Sequence, residues 1–194
     1  MKRLLIILIL TFNFQTLTKA DDISDFEIEG ISIGESLLDY FSKEEIDEFY
    51  NYDHLPSDMK FRIAEIHNGK EKNMSNYSAM QLYYKPNDIN FILHSVTGGK
   101  FCSTEIECKN LYEKIKEDLL KSFTKGKEET HKSNDDPTGK SKSIYYQIEL
   151  DNGSIYVTYQ DWSKNVEWKD NVNVEVSTKD VDKWNRNNFG LGVN

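Results

Sequence analysis

The chain has 194 residues, with 33 acidic and 24 basic side chains, a net charge of −9 and two cysteines. Such a length suits one domain or two small halves. The negative balance, with no basic patch interleaved with aromatics, argues against nucleic acid as a partner.

Residues 1–20, MKRLLIILILTFNFQTLTKA, place Lys2 and Arg3 before an apolar run from Leu4 to Leu10, with small residues at Thr18 and Ala20. This pattern predicts a secretory signal peptide cut after Ala20. The run is far short of the roughly 20 residues that span a bilayer. No cysteine lies near the cut to take a lipid, so no stable membrane anchor is expected after cleavage. The leader also removes three of the 24 basic residues, leaving 21 against 33 acidic ones, a mature net charge of −12. The expected location is the periplasm or outside the cell, with residues 21–194 forming a single α+β domain.

Along that domain, Phe26 and Ile28 suit a brief strand. Ser32-Ile-Gly-Glu35 and Ser42-Lys-Glu-Glu45 each have the spacing of a capping box, in which hydroxyl and carboxylate satisfy amides at a helix start. Two short helices are therefore predicted, with a bend at Ser42. Three strands follow in KFRIAEI, AMQLYYK and NFILHSV, with a polar loop at 68–78 and a turn at Pro86-Asn87-Asp88. Thr104-Glu-Ile-Glu107 is a third capping box. Behind it Cys108, Leu111, Tyr112, Ile115, Leu119 and Phe123 recur at three- and four-residue steps, one face of a helix of about five turns. Gly126 suits a left-handed cap past its end.

Residues 125–142 show no apolar periodicity and are expected as a polar loop, either a connection between two halves or a contact loop. SIYYQIELDNGSIYVTYQD then predicts a hairpin turning at Asn152-Gly153 in a type I′ geometry. That turn pairs Leu150 with Ile155, Ile148 with Val157 and Tyr146 with Tyr159. NVNVEVS adds a strand with Val172, Val174 and Val176 inward, and Thr178 starts a final helix carrying Val181 and Trp184, with a frayed end from Asn185. The predicted fold class is α+β, an antiparallel β-sheet packed on one side by helices, in the order αα-βββ-α-βββ-α. The helix-plus-three-strand unit occurs twice, as in two α-βββ halves.

Asn134 to Ser141 ends in Gly-Lys-Ser, the tail of a Walker loop, but Asn134 stands where the first glycine belongs. A strand rather than a helix follows Ser143, so a solvated turn is expected instead of a nucleotide site. Cys102 and Cys108 are too far apart for a Cys-x-x-Cys redox pair. In an oxidising compartment a disulfide there would staple the strand exit to the helix start, if their Cα atoms come within about 7 Å. The alternative is a buried thiol pair. His54, His67, His94 and His131 show no metal-ligand spacing, and no cofactor or catalytic constellation is expected. Tyr156, Tyr159, Trp162 and Trp168 concentrate in YVTYQDWSKNVEW. If exposed, Tyr156 and Trp162 would offer sugars or partners an aromatic surface, the alternative being half-buried strand aromatics near a sheet edge.

DFEIEGISIGESLLDYFSKEEI, residues 25 to 46, resembles the opening of a family of uncharacterised small exported bacterial proteins. The Asp-Pro-x-Gly-Lys-Ser loop at Asp136 to Ser141 and the Asp-Trp-Ser segment at Asp161 to Ser163 are similar to theirs as well. That resemblance implies bacterial export and no activity. Gly30-Ile-Ser-Ile-Gly-Glu-Ser-Leu-Leu38 is also similar to the strand-Gly-helix entry of outer-membrane assembly lipoproteins of the BamE type, though the lipid-bearing cysteine is missing here.

The leading expectation is a soluble envelope protein that binds an unknown protein or small-molecule partner. Its contact surface would include Asp136, Lys140, Tyr156, Asp161 and Trp162. The competing expectation is a small periplasmic enzyme, hydrolase-like, with a site assembled from scattered carboxylates and His94.

Overall fold

Period-two patterning governs the architecture. In the computed structural model, residues 22–49, 59–123, 125–132 and 136–189 are described, together with the backbone of Ile6 and Ile7. The signal-peptide expectation therefore falls outside the described residues, as do His54 and Tyr50. Ile6–Ile7 (β1) runs parallel to Phe26–Ile28 (β2), which pairs antiparallel with Ile31–Ser32 (β3). A chain cut after Ala20 would lack the first of these pairings.

Next come Lys43–Phe49 (α1), Arg62–His67 (β4), Ala79–Tyr84 (β5), Leu93–Phe101 (β6) and Glu105–Ser122 (α2). The last third holds Lys127–Lys132 (β7), Lys142–Glu149 (β8), Gly153–Asp161 (β9), Asn171–Thr178 (β10) and Lys179–Phe189 (α3). Strands β4 to β10 form one sheet in the order β4-β5-β6-β10-β9-β8-β7, antiparallel at every step. The fold is thus α+β. The two strand sets meet at β6 and β10 and share one sheet.

Because cross-strand partners project to the same side, the register gives each face a composition. One row runs Ala64–Leu82–Val96–Val176–Ile155–Ile148 across six strands, and every member is buried. Cys108, Tyr112 and Leu119 of α2, and Phe123 just past its end, pack on this face with Phe26, Ile28, Ile31 and Leu37. One residue along, the row Gln81–Thr97–Glu175–Tyr156–Gln147 faces the other way. Such a two-faced antiparallel sheet buries one side and leaves the other polar.

Helices do not keep to one side, however. α3 covers part of the polar face, where Val181 and Trp184 pack on Phe61, with Tyr83 against the cluster. Those apolar side chains need cover, and Phe61 and Tyr83, with Ile63 paired to Tyr83, are among the apolar exceptions on that side.

Several local expectations meet corrections. Ser42 and Glu45 form the reciprocal box and α1 follows. Glu35 likewise accepts the Ser32 N–H at 2.9 Å, but Ser32 lies in β3 and Gly34 has φ 86°, so no helix starts there. Ser36 caps a 3-10 turn at Leu37–Asp39 instead. Thr104 caps α2, accepting the Glu107 N–H at 3.2 Å, while Glu107 reaches back to Ser103 N at 2.8 Å. Beyond α2, Phe123 is extended and Gly126 lacks a positive φ. A Cβ at Gly126 would stand 2.2 Å from the Tyr146 ring, so close approach is what demands glycine there.

Within the expected 125–142 loop, Lys127–Lys132 forms the edge strand β7, paired with β8. An edge strand exposed on nearly every side chain has no apolar periodicity to show. The hairpin register also differs by two residues: Ile148 pairs with Ile155, Tyr146 with Val157 and Ile144 with Tyr159. A two-residue slip keeps every side chain on its intended face. The turn residues are Asp151-Asn152, neither with positive φ, so it is not type I′. Val172, Val174 and Val176 are buried as expected. α3 continues to Phe189, past the expected fraying point.

Candidate interaction surface at the disulfide end

Asp136 opens the loop that ends in Gly-Lys-Ser, and its carboxylate is buried. It accepts the N–H groups of Thr138 at 2.8 Å, Ser141 at 2.9 Å and Lys140 at 3.3 Å, and the hydroxyls of Thr138 at 2.7 Å and Ser141 at 2.8 Å. Gly139, at φ 64°, lets the backbone curl round it. These hydrogen bonds, led by those from Thr138, hold the carboxyl well below the usual carboxylate range. The amides that a phosphate would need are thus already satisfied by the loop's own carboxylate. Among the described residues of the motif, only side chains such as Lys140 are left to donate to a phosphate.

The loop is tied to the segment after β9. Ser163 donates its N–H to Ser141 Oγ at 2.8 Å, and Trp162 donates its own to Asp170 Oδ1 at 2.9 Å. Cys102 N–H reaches Asp170 O at 3.0 Å, and Cys102 is bonded to Cys108 with Cα atoms 5.5 Å apart. So the ends of β6 and β9, the starts of α2, β8 and β10, and the Asp136 loop converge at one end of the sheet. Burial, then the charges of Asp170 and Glu105, raise Asp161, opposed by Lys109 and Lys142. Charges on α2, β8 and the segment before β10 are therefore within electrostatic reach of Asp161 on β9.

Exposed apolar groups gather on the same end. Trp162 is half-buried and meets Trp168 edge-on with centroids 4.5 Å apart. Trp168 is 54 % exposed, Phe101 50 % and Ile106 71 %. Of the residues expected to form a contact surface, Asp136, Lys140, Asp161 and Trp162 come together here, with Asp136 turned inward and Lys140 outward. Tyr156 does not belong with them; it sits midway along β9 on the polar face.

The comparisons come out empty. No family model, no curated protein and no solved structure matches the chain.

Phe101 and Ile106 escaped sequence reasoning, although Ile106 lies off the buried stripe of α2 and a helical projection exposes it. Gly30-Ile-Ser-Ile-Gly34 has the spacing of a hydrolase nucleophile elbow. Ser32, however, is only 6 % exposed, in a two-residue strand followed by a turn, without the strand–turn–helix setting such an elbow requires.

The polar face holds a second group. Glu175 stands at its centre, accepting from Ser95 Oγ at 3.2 Å. Asp182 of α3 accepts from Ser177 Oγ, and Gln147 Nε2 donates to Tyr156 OH at 3.0 Å and Ser154 Oγ at 3.2 Å. Burial first, and the Asp182 charge second, push Glu175 up to about 7. Burial raises Asp182 and, together with the Asp182 charge, raises Tyr156. The histidines are dispersed: His67 beside Glu65, His131 beside Glu129, and His94 edge-on to Phe61 at 5.3 Å. Burial and Lys85 lower His94. Among the described residues no three His, Cys, Asp or Glu side chains group as metal ligands, and no helix is long and apolar enough to cross a membrane.

Proposed function

We propose that this chain is an exported soluble envelope protein that binds a protein partner through its disulfide end. One observation carries the reading: three large apolar side chains, Phe101, Ile106 and Trp168, stand half or more exposed on segments that meet at one end of the sheet, where Lys140, Asp161 and Asp170 also lie. An apolar centre rimmed by polar groups is the anatomy of a protein contact site, and aromatics are its strongest anchors. The disulfide and the Asp136 loop brace this end, so a partner meets a preorganised surface. Export itself rests on the leader and on the motif resemblance.

The test is capture from native envelope extract with mature protein, compared with an Ile106→Ser/Trp168→Ala variant. Ile89→Ser serves as control, since Ile89 is equally apolar, 84 % exposed and in the β5–β6 turn at the opposite end of the sheet. The expected result is one partner enriched by wild type and control and lost in the variant. Equal enrichment by all three proteins would falsify the assignment.

A second reading, a small hydrolase-like enzyme, draws on the raised carboxyls of Glu175 and Asp182. Its mark would be turnover in a substrate screen that Glu175→Gln abolishes.

A further inference from the structure

β10 is the middle strand of the seven, and Glu175 lies midway along it on the polar face. Its cross-strand neighbours are Thr97 on β6 and Tyr156 on β9. Over this row α3 places Asp182, 4 % exposed and hydrogen-bonded to Ser177. Ser177, which donates to Asp182, is the cross-strand partner of Ser95, which donates to Glu175 at 3.2 Å. Two carboxyls, one on the sheet and one on the helix, thus share a site lined by hydroxyls.

The charged and titratable groups around them are few. From α3 come Asp182 itself and Arg186, whose charge favours ionised Asp182. From β9 comes Tyr156, and β6 sets Ser95 and Thr97 beside Glu175, while His94 of β6 lies edge-on to Phe61, on which α3 packs, and feels the Asp180 charge. No lysine or arginine lies on the strand positions beside Glu175, so nothing there neutralises a second negative charge. Burial makes that charge expensive. α3 is also held by Val181 and Trp184, packed on Phe61 with Met59 and Tyr83, and by Asp180, which pairs with Lys60 and Lys85.

The geometry points to Glu175 and Asp182 as a proton-operated latch for α3, seated while one proton sits on the pair and loosened when both carboxyls ionise. The sign follows from the titration. Glu175 moves from 4.5 to about 7 on folding. Its contribution to seating is therefore complete below about pH 4.5 and is lost as pH rises through 7. Like charges set across a helix–sheet contact then oppose docking.

Amide hydrogen exchange on the full chain at pH 5.5 and 8.5, corrected for the intrinsic pH dependence, tests this. Protection of the α3 amides is expected to fall at least tenfold over that range, while the α2 amides change less than threefold. In Glu175→Gln the α3 drop disappears. In Asp182→Asn it shrinks, because the neighbouring charge is gone, and this variant carries the comparison should Glu175→Gln fail to fold. Wild-type α3 amides with unchanged protection, a fall equally large in α2, or a fall that persists undiminished in the variants would overturn the latch.

Discussion

Ser141 and Ser163 are joined by one hydroxyl: Ser141 Oγ accepts the Ser163 N–H at 2.8 Å while donating to Asp136 at 2.8 Å. Two motifs 20 residues apart, Asp-Pro-x-Gly-Lys-Ser and Asp-Trp-Ser, are therefore one structural unit. Removing that hydroxyl strands an amide and withdraws a donor from a buried carboxylate. Ser141→Ala is expected to cost about 1–2 kcal/mol, measured by urea unfolding. A loss well under 0.5 kcal/mol would show that the link is incidental.

Asp136 sets a pH limit on the same unit. Its carboxyl is held below the ordinary 3.8 by Thr138 and Ser141. The contribution of a carboxyl depressed on folding is present above the unfolded value and lost as pH falls through the folded one. The Thr138 and Ser141 amide resonances should hold their positions from pH 7 to about pH 4 and move only in more acid solution. Movement centred at or above pH 4 would contradict this.

Gly153 is required by proximity. A Cβ there would lie 2.1 Å from the Ser177 carbonyl oxygen and 2.6 Å from Ile23 Cδ1. Backbone cannot swing away as a side chain does, so Gly153→Ala is expected to cost about 3 kcal/mol, at the upper end for overpacking. Thermal unfolding of the variant measures it, and an unchanged melting temperature would mean that the hairpin yields freely.

The disulfide closes a short loop and should contribute roughly 2 kcal/mol by restricting the unfolded chain. A Cys102→Ser/Cys108→Ser variant is expected to lose that much in denaturant while α2 stays helical by circular dichroism. The helix keeps its own cap at Thr104 and its own apolar stripe. Loss of the α2 signal itself would mean that the bridge, and not the cap, starts the helix.

The elements readable in advance share one property: their information is local. α2 carries cap and stripe within 20 residues, and β10 alternates valines one position in two. The hairpin was readable as to face, and its register slipped because distant groups hold the turn. Asn152 donates to Asp22 at 2.7 Å and accepts the Ile23 N–H at 3.3 Å. β7 was invisible because an edge strand with exposed side chains leaves no apolar trace. The contact surface was half legible: Trp162, Asp161 and Lys140 lie in the conspicuous aromatic and Gly-Lys-Ser stretches. Phe101 and Ile106 join them only because β6 and α2 end and begin beside those loops.

From the string of residues alone came the acidity, the α+β class, the starts of α1 and α2 and the cysteine pair. All are matters of composition or of neighbours a few positions apart. Folding alone decided which carboxylates matter, because burial and hydrogen bonding come from segments far apart in the chain. It turned Asp136 inward among its own amides and set Glu175 of the sheet beside Asp182 of a helix, out of reach of any lysine on the neighbouring strands.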